Sequence, residues 1–340
     1  MKRFKITAAI CIFIVLSLMA SGCSKKSISG RSVRLESGDI TENSIVITIG
    51  NTGVKYSEVR NYCYLLKCQY EGIYGSKLWD YSIGEDTTIG DEAKQEVVNM
   101  ITQLKVIKKT AQEQEITLTA DERDEALQQA EELIEAAGET DKEEYCLSMQ
   151  GLAELYEDNI LAEKMFYIAT DEADTRVSDD EARQADIQYI QIMTEGTDRN
   201  GNKVTMDAKT KDLTLKRVKK LRKEAVNADD FASFAQENTD SSQISVTIGK
   251  DSDVLGKEAT DIALKMSKGD ISSVVESSAG GNTGYYILYC ANDNNEDATY
   301  KRKEEIIENR QTDMFKEKYA GWLEEADVNI SQSFWEEFKI

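Results

Sequence analysis

Apolar residues along the first half of the chain recur mostly at helical spacing. Ile45 to Ile49 (IVITI) is an apolar run that ends in Gly50-Asn51-Thr52-Gly53, a strand followed by a turn. Ser57 then stands where it can cap a helix reaching about residue 74, in which Val59, Tyr62, Cys63, Leu66, Tyr70 and Ile73 share one side. A loop from Gly75 to Gly90 leads to a long helix with Val97, Ile101, Leu104 and Ala111 on one face. Thr119 with Glu122 and Thr140 with Glu143 have capping-box spacing and predict helices near 120–137 and 141–149. A further helix over 152–170 carries Leu152, Leu155, Tyr156 and Phe166. Each stripe reads as a core face. Together they predict an irregular helical domain with grooves between helices. Its dense tyrosines (Tyr56, Tyr62, Tyr64, Tyr70, Tyr74, Tyr81) suit adaptable contacts and half-buried positions equally.

The second half switches period. Ser178 and Glu181 open a helical turn, after which Ala185 to Met193 alternates. Ile187, Tyr189, Gln191 and Met193 fall on one side and Gln188, Ile190 and Ile192 on the other, predicting a strand with one strongly apolar side. Asp198-Arg-Asn-Gly-Asn202 starts like a calcium loop, but Lys209 stands near the required later carboxylate, so it reads as a β-turn. Residues 207–225 form a basic amphipathic helix with Leu215, Val218 and Ala225 as its apolar stripe. Such helices can lie on anionic lipid; this one reads as a surface helix with a solvated face. A short helix over 229–238, a strand over 244–248, a helix over about 254–266, a turn at 267–270, a strand near 273–276 and the strand Gly284 to Cys290 (GYYILYC) follow. The order is β-α-α-β-α-β-β.

The 340 residues suffice for two domains with cores of their own. A net charge of −22 repels phosphate backbones and argues against nucleic acid as a partner. The chain has no histidine, which excludes Ser-His-Asp and Cys-His nucleophilic sites and His-ligated metals. No metal or cofactor is expected. Acid–base work would fall to Asp, Glu, Lys, Tyr or Cys. The chain also lacks proline, for which we have no physical account.

Met1-Lys-Arg-Phe-Lys5 is basic, Ile6 to Ala20 is apolar, and Ser21-Gly22-Cys23 follows. This is a secretory signal, too short to span a membrane as a mature helix. Small residues directly before a cysteine resemble the lipobox of bacterial lipoproteins. That resemblance implies cleavage before Cys23 and its lipidation, a stable anchor on the outer face of the cytoplasmic membrane. The polar segment after it reads as a tether. Cys63, Cys68, Cys146 and Cys290 are expected as small buried side chains.

The second half also resembles the parvulin family of prolyl isomerases over about residues 183–292. Asp230-Phe-Ala-Ser-Phe-Ala235 is similar to its D-F-A-x-x-A helix, and Ala263 to Ser272 (ALKMSKGDIS) to its A-F-x-L-x-x-G-x-[IV]-S segment. Gly284-Tyr-Tyr-Ile-Leu288 is similar to its G-Y-H-I-[IL] strand, and Ala185 to Met193 to its A-x-H-I-L strand. With the lipobox, the preceding helices, and a last helix ending in Ala326-Asp-Val-Asn-Ile330 and Phe334-Trp-Glu-Glu-Phe338, the layout resembles PrsA/SurA-type extracytoplasmic foldases. The resemblance implies an α+β protein, a SurA-like helical domain completed by the C-terminal helix, with an inserted parvulin-like domain. The expected divisions are a signal peptide (1–22), tether (23–44), helical chaperone domain (45–177), parvulin-like domain (178–295), and a C-terminal helix and tail (296–340) packing back on the helical domain.

The departures decide the expected activity. Tyr189 and Tyr286 occupy the family's two histidine positions. Ile244 falls near its acidic or thiol position, and Leu255 and Ala259 stand for the Met and Phe of its proline pocket. Tyrosine, ionising near ~10, cannot share protons as imidazole does. A pared pocket binds twisted and planar amides alike, which gives no acceleration. The resemblance therefore implies a foldase-like chaperone of unfolded secreted proteins, catalytically weak or inactive, whose peptide-binding positions are Tyr189, Leu255, Ala259 and Tyr286. The alternatives are an isomerase in which the tyrosines replace the histidines, and a solute-binding lipoprotein. The latter is disfavoured because no two-lobed repetition of βα units is visible.

Overall fold

The computed structural model describes residues 40–85 and 87–340; the signal sequence, Cys23 and the tether up to residue 39 lie outside the described residues. The chain divides into two compact units, Met1–Ala173 with Gln311–Ile340, and Asp174–Arg310.

In the first unit, β1 (Ile45–Ile49) pairs antiparallel with β2 (Thr52–Lys55). The expected turn over 50–53 is shorter, because Val54 is fully buried and draws residues 52–55 into a second strand. The helix α1 (Tyr56–Tyr74) follows at once. Ser57 does not cap it; the N–H groups of Tyr56 and Ser57 instead donate to the carbonyls of Ser44 and Glu42, each at 2.9 Å. A 3-10 turn at Ser76–Leu78 precedes α2 (Ile89–Glu113), which is opened by a Thr88–Asp91 capping box. Val97, Ile101, Leu104 and Ala111 are buried, as the spacing requires. The Thr119–Glu122 box forms and starts α3 (Ala120–Ala136). The Thr140–Glu143 box does not. The helix α4 (Glu139–Glu144) begins after Gly138, leaves Thr140 inside its first turn, and stops before Cys146, whose φ is 52°. Ser148 then caps α5 (Met149–Ala169).

A buried ionic cluster joins three of these helices. Asp158 of α5, 2% exposed in its side chain, accepts from Lys105 at 2.6 Å and Lys108 at 2.5 Å, both on α2. Lys105 also reaches Glu58 of α1 at 2.5 Å. Burial opposes the charge on Lys105, but the two carboxylates more than offset it and raise its pKa.

The second unit opens with the turn α6 (Asp179–Ala182) and the long strand β3 (Ala185–Thr197). The turn at 198–202 forms as expected and leads into an unforeseen strand, β4 (Lys203–Thr205). Then come α7 (Ala208–Ala225), α8 (Phe231–Asn238), β5 (Ser245–Ile248), α9 (Lys257–Ala263), β6 (Val275–Ala279) and β7 (Asn282–Asn292). The antiparallel sheet runs β4-β3-β7-β6, with β5 pairing the first residues of β3. The strand β3 is apolar on both sides rather than one, because helices cover both faces. Ile187 and Tyr189 join Tyr286, Leu288 and α9 residues in one cluster. Ile190 and Ile192 join Tyr285, Ile287 and residues of α7 and α8 in the other.

The helix α10 (Glu296–Glu324) carries the chain out of the second unit and, from Gln311, into the first. There Phe315 is fully buried, with ring centroids 5.2 Å from Phe166 and 5.7 Å from Trp322. The strand β8 (Val328–Ile330) pairs with the free edge of β1, setting Ile330 opposite Ile47. Phe334 of α11 (Gln332–Glu337) is fully buried and stacks on Phe338 at 4.7 Å. The fold is thus α+β, with the helical part completed by the C-terminal segment. Of the four cysteines among the described residues, Cys63 and Cys290 are buried, Cys146 is half-buried and Cys68 is exposed, on the outer side of α1; all four are free thiols.

Replacing Asp158 by Ala leaves Lys105 and Lys108 without their shared buried partner. The expected loss is about 3 kcal/mol in denaturant unfolding. Lys216→Ala, which breaks an exposed pair with Asp212, should cost under about 0.5 kcal/mol in the same measurement.

Candidate functional site

The segment Thr239–Ile244 is held against the edge of β3, in the gap between β5 and β4. Tyr189 N–H donates to the Ile244 carbonyl at 2.8 Å, and Asp240 N–H to the Gln191 carbonyl at 2.8 Å. Gln191 N–H donates to Thr239 Oγ1 at 3.0 Å, and Met193 N–H to Asp240 Oδ2 at 2.9 Å. Strand alternation puts Tyr189, Gln191 and Met193 on one face, and this edge loop brings Asp240 and Ser241 beside them. A cavity of about 230 Å³ lies here, lined by Tyr189, Gln191, Met193, Asp240, Ser241 and Tyr286, with Asn282 and the exposed Val254 at its margins.

Tyr189 and Tyr286 meet in it, with ring centroids 6.1 Å apart and planes tilted by 44°. They are diagonal neighbours on adjacent strands; the residue directly opposite Tyr286 is Gln191. Gln191 Nε2 donates to the Tyr286 hydroxyl at 2.6 Å. The Tyr189 hydroxyl lies 3.4 Å from Ser241 Oγ. Burial pushes Tyr286 up to about 12, aided by neighbouring Tyr189 and partly countered by the Gln191 hydrogen bond. Its hydroxyl is thus a neutral hydrogen-bonding group throughout the physiological range.

Two of the expected peptide-binding residues therefore come together here, and two do not reach the surface. Leu255 and Ala259 are fully buried beneath the tyrosines, in the same apolar cluster, and form no wall of the cavity. They lie there because Gly256, with φ +75°, turns the chain into α9. Ile244 packs on the opposite face, against the cluster with Ile190 and Phe231. The side chains beside the tyrosines at this edge are Asp240 and Ser241. Gln191 was visible in the sequence as a polar residue at an inward strand position; Asp240 and Ser241 lie in an irregular loop that carries no periodicity. Among the described residues no cluster of three or more Cys, Asp or Glu is placed to hold a metal, and no helix is long and apolar enough to cross a membrane.

The first unit carries a different kind of surface. Its tyrosines divide: Tyr62 and Tyr64 are buried, Tyr56 and Tyr70 half-buried, and Tyr74 and Tyr81 exposed. Ile73, Tyr74, Tyr81 and Ile83 are 74%, 65%, 66% and 53% exposed, at the end of α1 and in the loop after it. Trp79 between them is anchored, donating to Glu71 at 2.6 Å and meeting Tyr70 edge-on.

Two measurements test this geometry. A Cβ on Gly256 would lie 2.3 Å from the Ser278 carbonyl oxygen, in a backbone conformation that L-residues avoid. Gly256→Ala is therefore expected to cost about 2 kcal/mol or more, read by thermal unfolding. Burial also holds Tyr156 and Cys63 up at about 12. In the unfolded chain thiols ionise from about 9 and tyrosines from about 10. Between those values and 12 the unfolded chain binds fewer protons than the fold, so stability falls as pH rises. The melting temperature should hold up to about pH 9 and fall steadily towards pH 12; a flat profile would contradict the buried placement of these groups.

No family model matches the chain, and no curated protein matches it closely enough to count as a relative. Several solved structures are similar to it. The foldase PrsA of Streptococcus pneumoniae str. Canada MDR_19A is 18% identical, over 69% of this chain and 88% of that one, with a TM-score of 0.31. The foldase PrsA of Lactococcus lactis is 16% identical, over 85% and 96%, with a TM-score of 0.35. A SurA-like chaperone structure of Campylobacter jejuni, from work on PEB4 and Cj1289, is 9% identical, over 85% and 100%, with a TM-score of 0.33.

Proposed function

We propose that the protein is a lipid-anchored extracytoplasmic foldase that holds unfolded secreted chains and does not catalyse prolyl isomerisation. The observation that carries this reading is the exposed group Ile73, Tyr74, Tyr81 and Ile83, four large apolar side chains each more than half exposed within a short stretch. A chain that is 31% charged and −22 overall has no solubility reason to keep them outside. Holding an unfolded chain needs adaptable apolar surface and many weak contacts, which these side chains supply. Anchoring through Cys23 would place them at the outer face of the membrane, where secreted chains emerge unfolded.

The cavity at Tyr189 and Tyr286 supports the second half of the reading. Its lining is mostly hydroxyl, amide and carboxylate groups with the Arg199 guanidinium; Met193, Val254 and Ala279 are its aliphatic members, and its two tyrosines are already engaged by Gln191 and Ser241. Such a site offers a proline ring little apolar contact and offers the twisted amide nothing that the planar one lacks.

The test uses a reduced, aggregating client and light scattering. The parent protein should suppress aggregation, and a variant with Ile73, Tyr74, Tyr81 and Ile83 all changed to Ser should lose most of that effect. In parallel, isomerisation of a short X-Pro peptide should proceed at its uncatalysed rate. Acceleration that disappears in a Tyr189→Phe, Tyr286→Phe variant would replace this reading by that of an isomerase with a rebuilt site.

A further inference from the structure

The basic helix α7 concentrates charge of the opposite sign to the rest of the protein. Eight Lys and Arg stand in it against Asp212 and Glu224, a surplus of six positive charges in a chain whose total is −22. The sequence alone does not tell which of the eight are used within the fold. Arg222 is turned inward, donating to the carbonyls of Ser272 at 3.1 Å and Ile271 at 3.3 Å, and Lys211 is half-buried. Val218, Leu221 and Ala225 are buried against the sheet and fix the roll of the helix about its axis. That roll aims Lys209, Lys216, Lys220 and Lys223 away from the protein, all four exposed. At 100° per residue they fall within about 60° of one another, in a ridge about 21 Å long. Lys216 and Lys220 make exposed pairs within the helix, at 2.6 Å and 3.5 Å. Lys209 and Lys223 form no ion pair among the described residues. Leu213, 58% exposed, sits along the same ridge.

We propose that this ridge docks the second unit on an anionic lipid surface. The ridge's charges are lysines, flexible point charges that attract phosphate headgroups without the planar fork needed for defined pairing. The exposed Leu213 distinguishes a membrane from a soluble polyanion, because only a membrane has hydrocarbon beneath its phosphates. The acidity of the remainder does not prevent the contact, since charges beyond about 8 Å are largely screened at physiological salt. The inference rests on the proposed membrane anchoring only for the ridge's opportunity to meet lipid; the headgroup contact is a property of α7 itself.

The experiment uses the chain from Ser24 onward, whose described units lie wholly beyond residue 39, so no lipid on Cys23 and no signal sequence contributes. Vesicles of phosphatidylcholine, with or without about a quarter phosphatidylglycerol, are floated with the protein. Binding to the anionic vesicles should exceed binding to the neutral ones at least about tenfold, and vanish as salt rises from about 0.05 to 0.5 M. Changing Lys209, Lys216, Lys220 and Lys223 to Gln should abolish the difference. Changing the exposed Lys77, Lys250, Lys268 and Lys318 to Gln should leave it. Equal binding of both variants, no preference for anionic vesicles, or binding to soluble polyphosphate with none to vesicles would each overturn the proposal. Aggregation suppression is measured on the same variants. The α7 variant should retain it, so failure of the lipid contact and failure of the foldase reading are separately visible.

Discussion

The pairing of β1 with β8 is the constraint on which the architecture depends. The hairpin of β1 and β2 has one open edge, and a two-stranded hairpin is marginal alone. Ile330 opposite Ile47 closes that edge with residues from the far end of the chain. Phe315, Phe334 and Phe338 then complete a core begun by Val59, Tyr62, Ile101 and Leu104. The first unit cannot be finished until everything between has been made, which requires residues 174–310 to fold as a unit between two halves of another. An antiparallel sheet with its own two cores meets that requirement, because neither core draws on residues outside it.

Cations are outnumbered in this chain, 41 against 63 acidic residues, and several help to hold the closure. Arg60 donates to the Lys339 carbonyl at 2.8 Å and lies over the Tyr145 ring, 4.4 Å from its centroid. Lys94 donates to the Trp335 carbonyl and lies 4.3 Å from the centre of that indole. Burial lowers the pKa of Lys94, with Asp91 acting against it. Lys105 and Lys108 are committed to Asp158. These contacts fix where the helices and the tail meet, while the apolar core supplies most of the driving force. The cations left over are not spread evenly. The largest surplus stands on α7, outside any core.

The periodic elements were legible because burial imposes a period. The face Val97, Ile101, Leu104, Ala111, the Thr119–Glu122 box and the strands β3 and β7 reappear as read, although β3 is buried on both sides rather than one. Elements set by partners rather than by local pattern were not. β2 and β4 are short strands whose residues, Thr-Gly-Val-Lys and Lys-Val-Thr, are shaped by the strand they pair with. Thr140 has the spacing of a cap, but Gly138 occupies that position and the helix has only six residues in which to develop. Cys68 was expected inside and lies outside, since five residues along a helix from the buried Cys63 leads to the opposite side. At the cavity, Tyr189 and Tyr286 were singled out by the resemblance of their strands to those of the parvulin family. Ile244 was aligned by counting along a segment whose course is set by hydrogen bonds to β3, and Asp240 stands where counting placed no acid.

The tyrosine pair also suits the surroundings of this cavity better than imidazole would. A histidine in either place would bring a titrating charge into an apolar cluster containing Leu255, Ala259 and Leu288. Tyrosine fills the volume, keeps a neutral hydroxyl, and finds a partner for it in Gln191 across the strand pair. Removing that hydroxyl alone would leave the buried Gln191 amide unpaired, so Tyr286 is held in place by the packing of the sheet whatever the cavity binds. The tyrosine pair therefore contributes to the scaffold through its packing and its hydrogen bond. The sheet that carries this pair on one face packs α7, with Lys209 to Lys223, against the other, so the two features share one rigid support.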